Sequence, residues 1–287
     1  MHPAIGTLRF IDLSAMIISD LHVHPSPWKF GEGTYRQFVK AALDRNVAIL
    51  GFSEHGPEIG SDQCYRGLKL NEIGDYVESV LKLKEEFSGL IQIFCGLELS
   101  YHPDLFDSYM KLQTEFPFDY FLVSLHTIDD WHVDNPDSLS PSIHGKKTEK
   151  ELYRLYYGKI IDAARCGLFD GFAHIDYLRR SLPHPPGEPP EYALEIYDEV
   201  AGEISRSNMT VEVNTRGFSI ESMKEMYPTL PFVKKLVHAG VKFTTGSDAH
   251  EVGRVGDGLA KVRQLVAVNG IRATHYFKNR EVLGLAL

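Results

Sequence analysis

Seven short β-type runs, separated by helix-length segments, each lead into a residue that can bind a metal ion or a charged group. "IISDL" (17–21) continues into His22 and His24, and "AILGF" (48–52) into Glu54 and His55. "LIQIFCGL" (90–97) ends at Glu98, "DYFLVSL" (119–125) at His126, and "DGFA" (170–173) at His174. "TVEV" (210–213) runs into Asn214, and "VKFTTG" (241–246) is followed closely by Asp248 and His250. Helical patterns lie between them, among them 34–45, 72–86 and 148–165; in the second, Ile73, Val77, Val80 and Leu81 recur at helical spacing opposite charged residues. Such alternation implies parallel strands joined by right-handed crossovers. Seven units in 287 residues fit a single-domain α/β fold, a TIM-like (β/α)7 barrel distorted by a missing unit. In a barrel the carboxyl ends of all strands face one site, so these residues would meet in space.

A lone histidine at a strand end is more often a hydrogen-bonded structural residue than a ligand. Here six of the 13 histidines occupy such ends, a placement that chance explains poorly. Imidazole and carboxylate without thiolate select zinc, manganese or iron. Six histidines with Glu98 and Asp248 exceed what one tetrahedral ion uses, which implies at least two ions with a carboxylate such as Glu98 between them. Paired ions about 3.5–4 Å apart suit in-line displacement at phosphorus or hydrolysis of an amide or ester.

Composition removes several rival classes. The formal net charge of −9 argues against a nucleic-acid-binding face, which would need clustered lysine and arginine. No apolar run approaches the ~20 residues that span a bilayer, and the first residues lack the pattern of a signal peptide. The three cysteines, Cys64, Cys95 and Cys166, form no motif and read as reduced core thiols of a cytoplasmic protein. Met16 directly precedes the first strand, so residues 1–16 read as an N-terminal extension or a misassigned start, and 17–287 as the barrel. The stretch "SLPHPPGEPP" (181–190) reads as an ordered loop leading into a helix.

The segments "DLHVH", "GFSEH", "GLE", "SLHTIDDW", "GFAHID", "VEVNT" and "GSDAH", in this order, resemble the polymerase and histidinol phosphatase (PHP) family over roughly residues 17–265. The likeness is to its stand-alone histidinol-phosphate phosphatases. It implies a distorted barrel and a metal-dependent phosphomonoester hydrolase, with a metal-bridging hydroxide attacking phosphorus. It also implies roles: His22, His24, Glu98 and Asp248 for one ion; Glu98, His126 and His174 for a second; His55 and His250 for a third position. Asp20 would orient a histidine ring, Glu54 matches no ligand position, and the leaving group would be protonated by Asp248, by His250 or by water. One departure stands out. Where relatives place a third-position ligand after the histidine pair, "PSPWKFG" puts Phe30, which cannot coordinate. The expectation is therefore two firmly bound divalent ions, with Glu32 a distant substitute at the third position.

A phosphorylated small substrate also needs cations of the protein's own. The candidates are Arg66, Arg179, Arg180, Arg216 and Arg254, with Arg66 and Arg216 preferred for their closeness to strand ends. Histidinol phosphate, the substrate of histidine biosynthesis that the resemblance implies, competes with three alternatives: another small phosphate or nucleotide within the family, an amide substrate as in metal-dependent amidohydrolases, and a non-catalytic metal-binding role. Glu98 sits where amidohydrolases use a carboxylated lysine, and the intact ligand set argues against a non-catalytic module. The long segment 127–147 after the fourth strand is placed to act as a lid.

Overall fold

The structure is a computed structural model that describes residues 17–25, 32–57, 67–128, 131–133, 146–182 and 184–286. Residues 1–16, with the question of the start, lie outside the described residues, as do Phe30, Cys64, Arg66, His144 and most of the proposed lid segment. Seven strands form one parallel sheet in the order β1 (Ile17–Val23), β2 (Val47–His55), β3 (Gln92–Ser100), β4 (Tyr120–Ser124), β7 (Gly171–Phe172), β8 (Thr210–Asn214) and β9 (Lys242–Gly246). Two further short strands, β5 (Thr127–Ile128) and β6 (Trp131–His132), make a small antiparallel ribbon after β4. Strands buried on both faces read as continuous apolar runs, which is why "VAILGF" in β2 shows no alternation.

The sheet curls until its first and last strands meet. Thr245 Oγ1 donates to the Ser19 carbonyl at 2.7 Å, and the His24 N–H donates to the Ala249 carbonyl at 2.8 Å. Asp20 strengthens the seam from β1, accepting from the Ser247 N–H (2.8 Å), the Ser247 hydroxyl (2.6 Å) and the Gly256 N–H (2.7 Å). Side chains and loop backbone thus close the barrel where a regular ladder is lacking among the described residues.

The outer layer consists of α1 (Tyr35–Asp44), α2 (Ile73–Glu86), α3 (Phe106–Glu115), α4 (Glu149–Arg165), α5 (Glu191–Ser207), α6 (Leu230–His238) and α7 (Leu259–Val268). Thr34 and Thr148 cap α1 and α4 through reciprocal bonds with Gln37 and Glu151, so T-x-x-Q and T-x-x-E set the two starts. On α2, Leu81 faces solvent and Tyr76 takes the core position, its hydroxyl donating to the Gly96 carbonyl at 2.7 Å. Helix α5 begins directly after Pro190, as the loop reading expects.

The barrel interior is filled from below. Tyr120 crosses it, donating to the Leu21 carbonyl at 2.8 Å, in space left by two glycines: a Cβ on Gly51 would lie 2.3 Å from the Tyr120 hydroxyl, and one on Gly96 would lie 2.4 Å from the ring. A C-terminal hairpin, β10 (Ala273–Lys278) and β11 (Glu281–Ala286), inserts Phe277 against the Tyr120 ring at 5.0 Å. The hairpin turn is held by Asp119 and by an Arg280–Asp170 ion pair, both carboxylates lying just ahead of a strand. The sequence reading counted this segment within the barrel and gave it no strand. It plugs the amino end and leaves the carboxyl end as the open face.

Candidate metal centre

At that open face the strand ends bring His22, His24, His55, Glu98, His126, His174, Asp248 and His250 together. Glu98, on β3, is the hub. Its Oε2 lies 2.8 Å from His55 Nδ1, 3.4 Å from His22 Nε2 and 3.6 Å from His24 Nε2. Its Oε1 instead faces His174 Nε2 at 3.0 Å and His126 Nε2 at 3.5 Å. One carboxylate therefore divides two sets of imidazoles. Asp248 adds a second carboxylate, 3.6 Å from His24 Nε2 and 3.4 Å from His250 Nδ1.

Four overlapping groups have ligand atoms within 4.8 Å of one another: His22–His24–Asp248, His22–Glu98–His174, His55–Glu98–His126 and His24–His55–His250. The backbone is bent to make them. Asp248 has φ of +54°, a left-handed conformation that a non-glycine residue adopts at a cost and that recurs at functional sites.

The polar atoms here are arranged for a guest. His22 Nε2, both ring nitrogens of His24 and both oxygens of Glu98 are buried without a hydrogen-bond partner. Leaving one such group unsatisfied costs about 1–3 kcal/mol, so five at one focus call for a cation. The charges agree. Burial opposes ionisation of Glu98, yet the rings of His55, His22 and His126 hold its carboxyl well below the ordinary range. Asp248 is likewise lowered against burial, by His22, His250 and His174. Burial and neighbouring rings push His24 well below the usual imidazole value, and burial lowers His250 too, so both favour the neutral form a metal needs. Burial also works against a charged His22, but Glu212, Glu98 and Asp248 outweigh it and hold that ring well above the ordinary value.

Other sequence-chosen residues fall differently. Asp20 does not orient a ring; its carboxylate is taken up by Ser247 and Gly256, and burial holds it up at about 6. Glu54 points away from the hub and accepts from the Tyr35 hydroxyl at 3.0 Å. Glu32 is exposed, although its N–H reaches the His250 carbonyl at 2.7 Å.

Among the arginines, Arg216 is brought to the site: its Nη1 donates to the Asp248 carbonyl at 3.4 Å and its backbone N–H to Asn214 Oδ1 at 2.9 Å. Arg180 reaches the rim through Tyr177, whose hydroxyl it meets at 2.7 Å and whose ring stacks on His174 at 4.2 Å. Arg179 is a correction. It is fully buried, ion-paired with Glu225 and bonded to the His184 carbonyl at 3.0 Å, so its fork is already used. Arg254, at the end of the short helical turn 252–254, is half-buried and paired with Asp257 at 3.2 Å.

The sequence reading missed Glu212, which is buried in β8 and bonded to His22. Its signal was a lone acidic residue inside an otherwise apolar strand, "TVEV".

A family model described as PHP domain matches residues 20–216. A probable histidinol-phosphatase of Deinococcus radiodurans is 31% identical over 266 residues, covering 92% of this chain and 98% of that protein. The histidinol-phosphatase of Lactococcus lactis is 25% identical, with 92% of this chain and 95% of that protein covered. In structure, the chain is similar to a histidinol phosphate phosphatase from Lactococcus lactis crystallised with zinc, L-histidinol and phosphate, with a TM-score of 0.78 at 22% sequence identity, covering 93% of this chain and 99% of that one.

Proposed function

We propose that this chain, which belongs to the PHP domain family, is a metal-dependent phosphomonoester hydrolase whose substrate is histidinol phosphate. The observation that carries the chemistry is Glu98, whose two oxygens face two separate sets of imidazoles with no protein hydrogen bond to satisfy them. In this reading His22, His24, Glu98 and Asp248 would hold one divalent ion and Glu98, His126 and His174 a second. His55 and His250 would stand at a third position, for which the sequence offers Phe30 where the resemblance expects a ligand; Phe30 lies outside the described residues. Zinc, manganese or iron at these residues would supply Lewis acidity and an acidified water.

The chain supplies the rest. Glu98 and Asp248 offset the ionic charge while leaving the site attractive to a phosphate dianion. Arg180, after β7, and Arg216, after the neighbouring β8, would orient the equatorial phosphate oxygens, as charge-assisted donors do. Asp248 and His250 are read as ligands first, which assigns protonation of the leaving oxygen to solvent. Histidinol phosphate enters from the names of the relatives, five of which align over 78–98% of their own length with this chain. The test is a phosphate-release screen of common monophosphates, histidinol phosphate among them, on protein supplied with zinc or manganese; preference for another monophosphate would remove the substrate and keep the chemistry.

A further inference from the structure

A buried carboxylate lies behind the hub with no ligand role. Glu212 is about 1% exposed on β8, and three groups surround it, all of them donors. Its Oε1 meets His22 Nδ1 at 2.8 Å. Its Oε2 accepts from the His174 backbone N–H at 3.0 Å and from Asn214 Nδ2 at 2.8 Å. The Asn214 amide orientation is not arbitrary: its Oδ1 accepts from the Arg216 N–H at 2.9 Å, which turns the NH₂ towards Glu212. Room for the carboxylate comes from Gly246 on β9, where a Cβ would lie 1.9 Å from Glu212 Oε1 and 2.5 Å from the His22 Cβ.

We propose that Glu212 is a positioning residue for metal binding, one that holds His22 with its Nδ1 proton inward and its Nε2 lone pair towards the hub while anchoring the His174 backbone in the same grip. His22 and His174 stand on different oxygens of Glu98, so a single side chain sets the spacing of the two halves of the centre. Hydrogen bonding at the far nitrogen of a ligating imidazole fixes both tautomer and ring orientation. The inference rests on the metal-dependent reading above.

Glutamine cannot replace this group. Either orientation of its amide sets an NH₂ against a donor, at His22 Nδ1 or at the His174 N–H and Asn214. If it faces His22, the imidazole must accept at Nδ1 and carry its proton on Nε2, where the ion should sit.

The test is a zinc competition titration against a chromogenic chelator, using wild type, Glu212→Gln, His22→Ala and the double variant. The expected result is about a 10–100-fold weaker zinc affinity for Glu212→Gln, and a double variant no weaker than His22→Ala. Equal affinity of Glu212→Gln and wild type, or losses that add in the double variant, would overturn the proposal. A second measurement needs no variant: ¹⁵N shifts of zinc-loaded wild type should show His22 protonated at Nδ1 and ligated at Nε2, and the reverse pattern would overturn it. Should wild type itself bind no zinc, the metal-dependent reading falls first, a failure distinct from that of Glu212.

Discussion

His55 Nδ1 lies 2.8 Å from Glu98 Oε2, and the two residues are direct neighbours across the β2–β3 ladder. Parallel register places them side by side, and the same carboxylate turns its other oxygen to His174 across the barrel. Replacing Glu98 therefore acts on both halves of the centre. Glu98→Gln should lose on the order of 10³-fold in kcat/KM and should retain less than one ion per chain after dialysis. Retention of two ions by this variant would mean that Glu98 is not the shared ligand.

The arginines divide by what already occupies them. Arg216→Ala and Arg180→Ala should each raise KM by roughly 10–100-fold, the worth of a charged hydrogen bond of about 1.5–3 kcal/mol, with metal content unchanged. Arg179→Ala should behave otherwise. It removes the buried guanidinium from the partly buried Glu225 and from the His184 carbonyl, so stability should fall by about 1–3 kcal/mol. Denaturant titration against steady-state kinetics separates the two patterns.

Much of this site was legible because barrel topology turns strand order into spatial proximity. His22, His24, His55, Glu98, His126, His174, Asp248 and His250 each follow an apolar run, and the structure gathers all eight. What stayed hidden depends on side-chain direction and on long-range pairing. Asp20 beside the histidines looked like a ring partner, but its carboxylate is held at the seam by Ser247 and Gly256 and meets His22 only at the backbone N–H. Arg179 and Arg180 are adjacent in sequence, yet a short helical turn sends one inward to Glu225 and the other to Tyr177. The closing hairpin was unreadable for a different reason: its partner surface is the ends of strands far upstream, at Asp119 and Asp170.

That hairpin yields a pH prediction away from the metal centre. Burial holds the Asp170 carboxyl above its ordinary value even with Arg280 beside it. A carboxyl raised in the folded state costs stability as pH climbs from the unfolded value through the folded one, and removing Arg280 extends that window upward. Arg280→Ala should thus cost about 1–3 kcal/mol near neutral pH, and the deficit should shrink as pH falls towards 4. Thermal melts of metal-free protein across pH 4–8 measure it; a deficit that grows on acidification would contradict the assignment.

No helix among the described residues is long and apolar enough to cross a membrane. Cys95 should resist alkylation, because it is buried and burial pushes its thiol up. Peptide mapping after iodoacetamide should find it modified only when the fold is opened with denaturant.

The most direct measurement is phosphate released from histidinol phosphate by metal-free protein as zinc or manganese is added in fractions of an equivalent. The account predicts no release without metal, a rise that saturates at about two ions per chain, and a kcat/KM for histidinol phosphate above that for other small monophosphates. No phosphate release at any metal level, with correctly folded and metal-loaded protein, would contradict it.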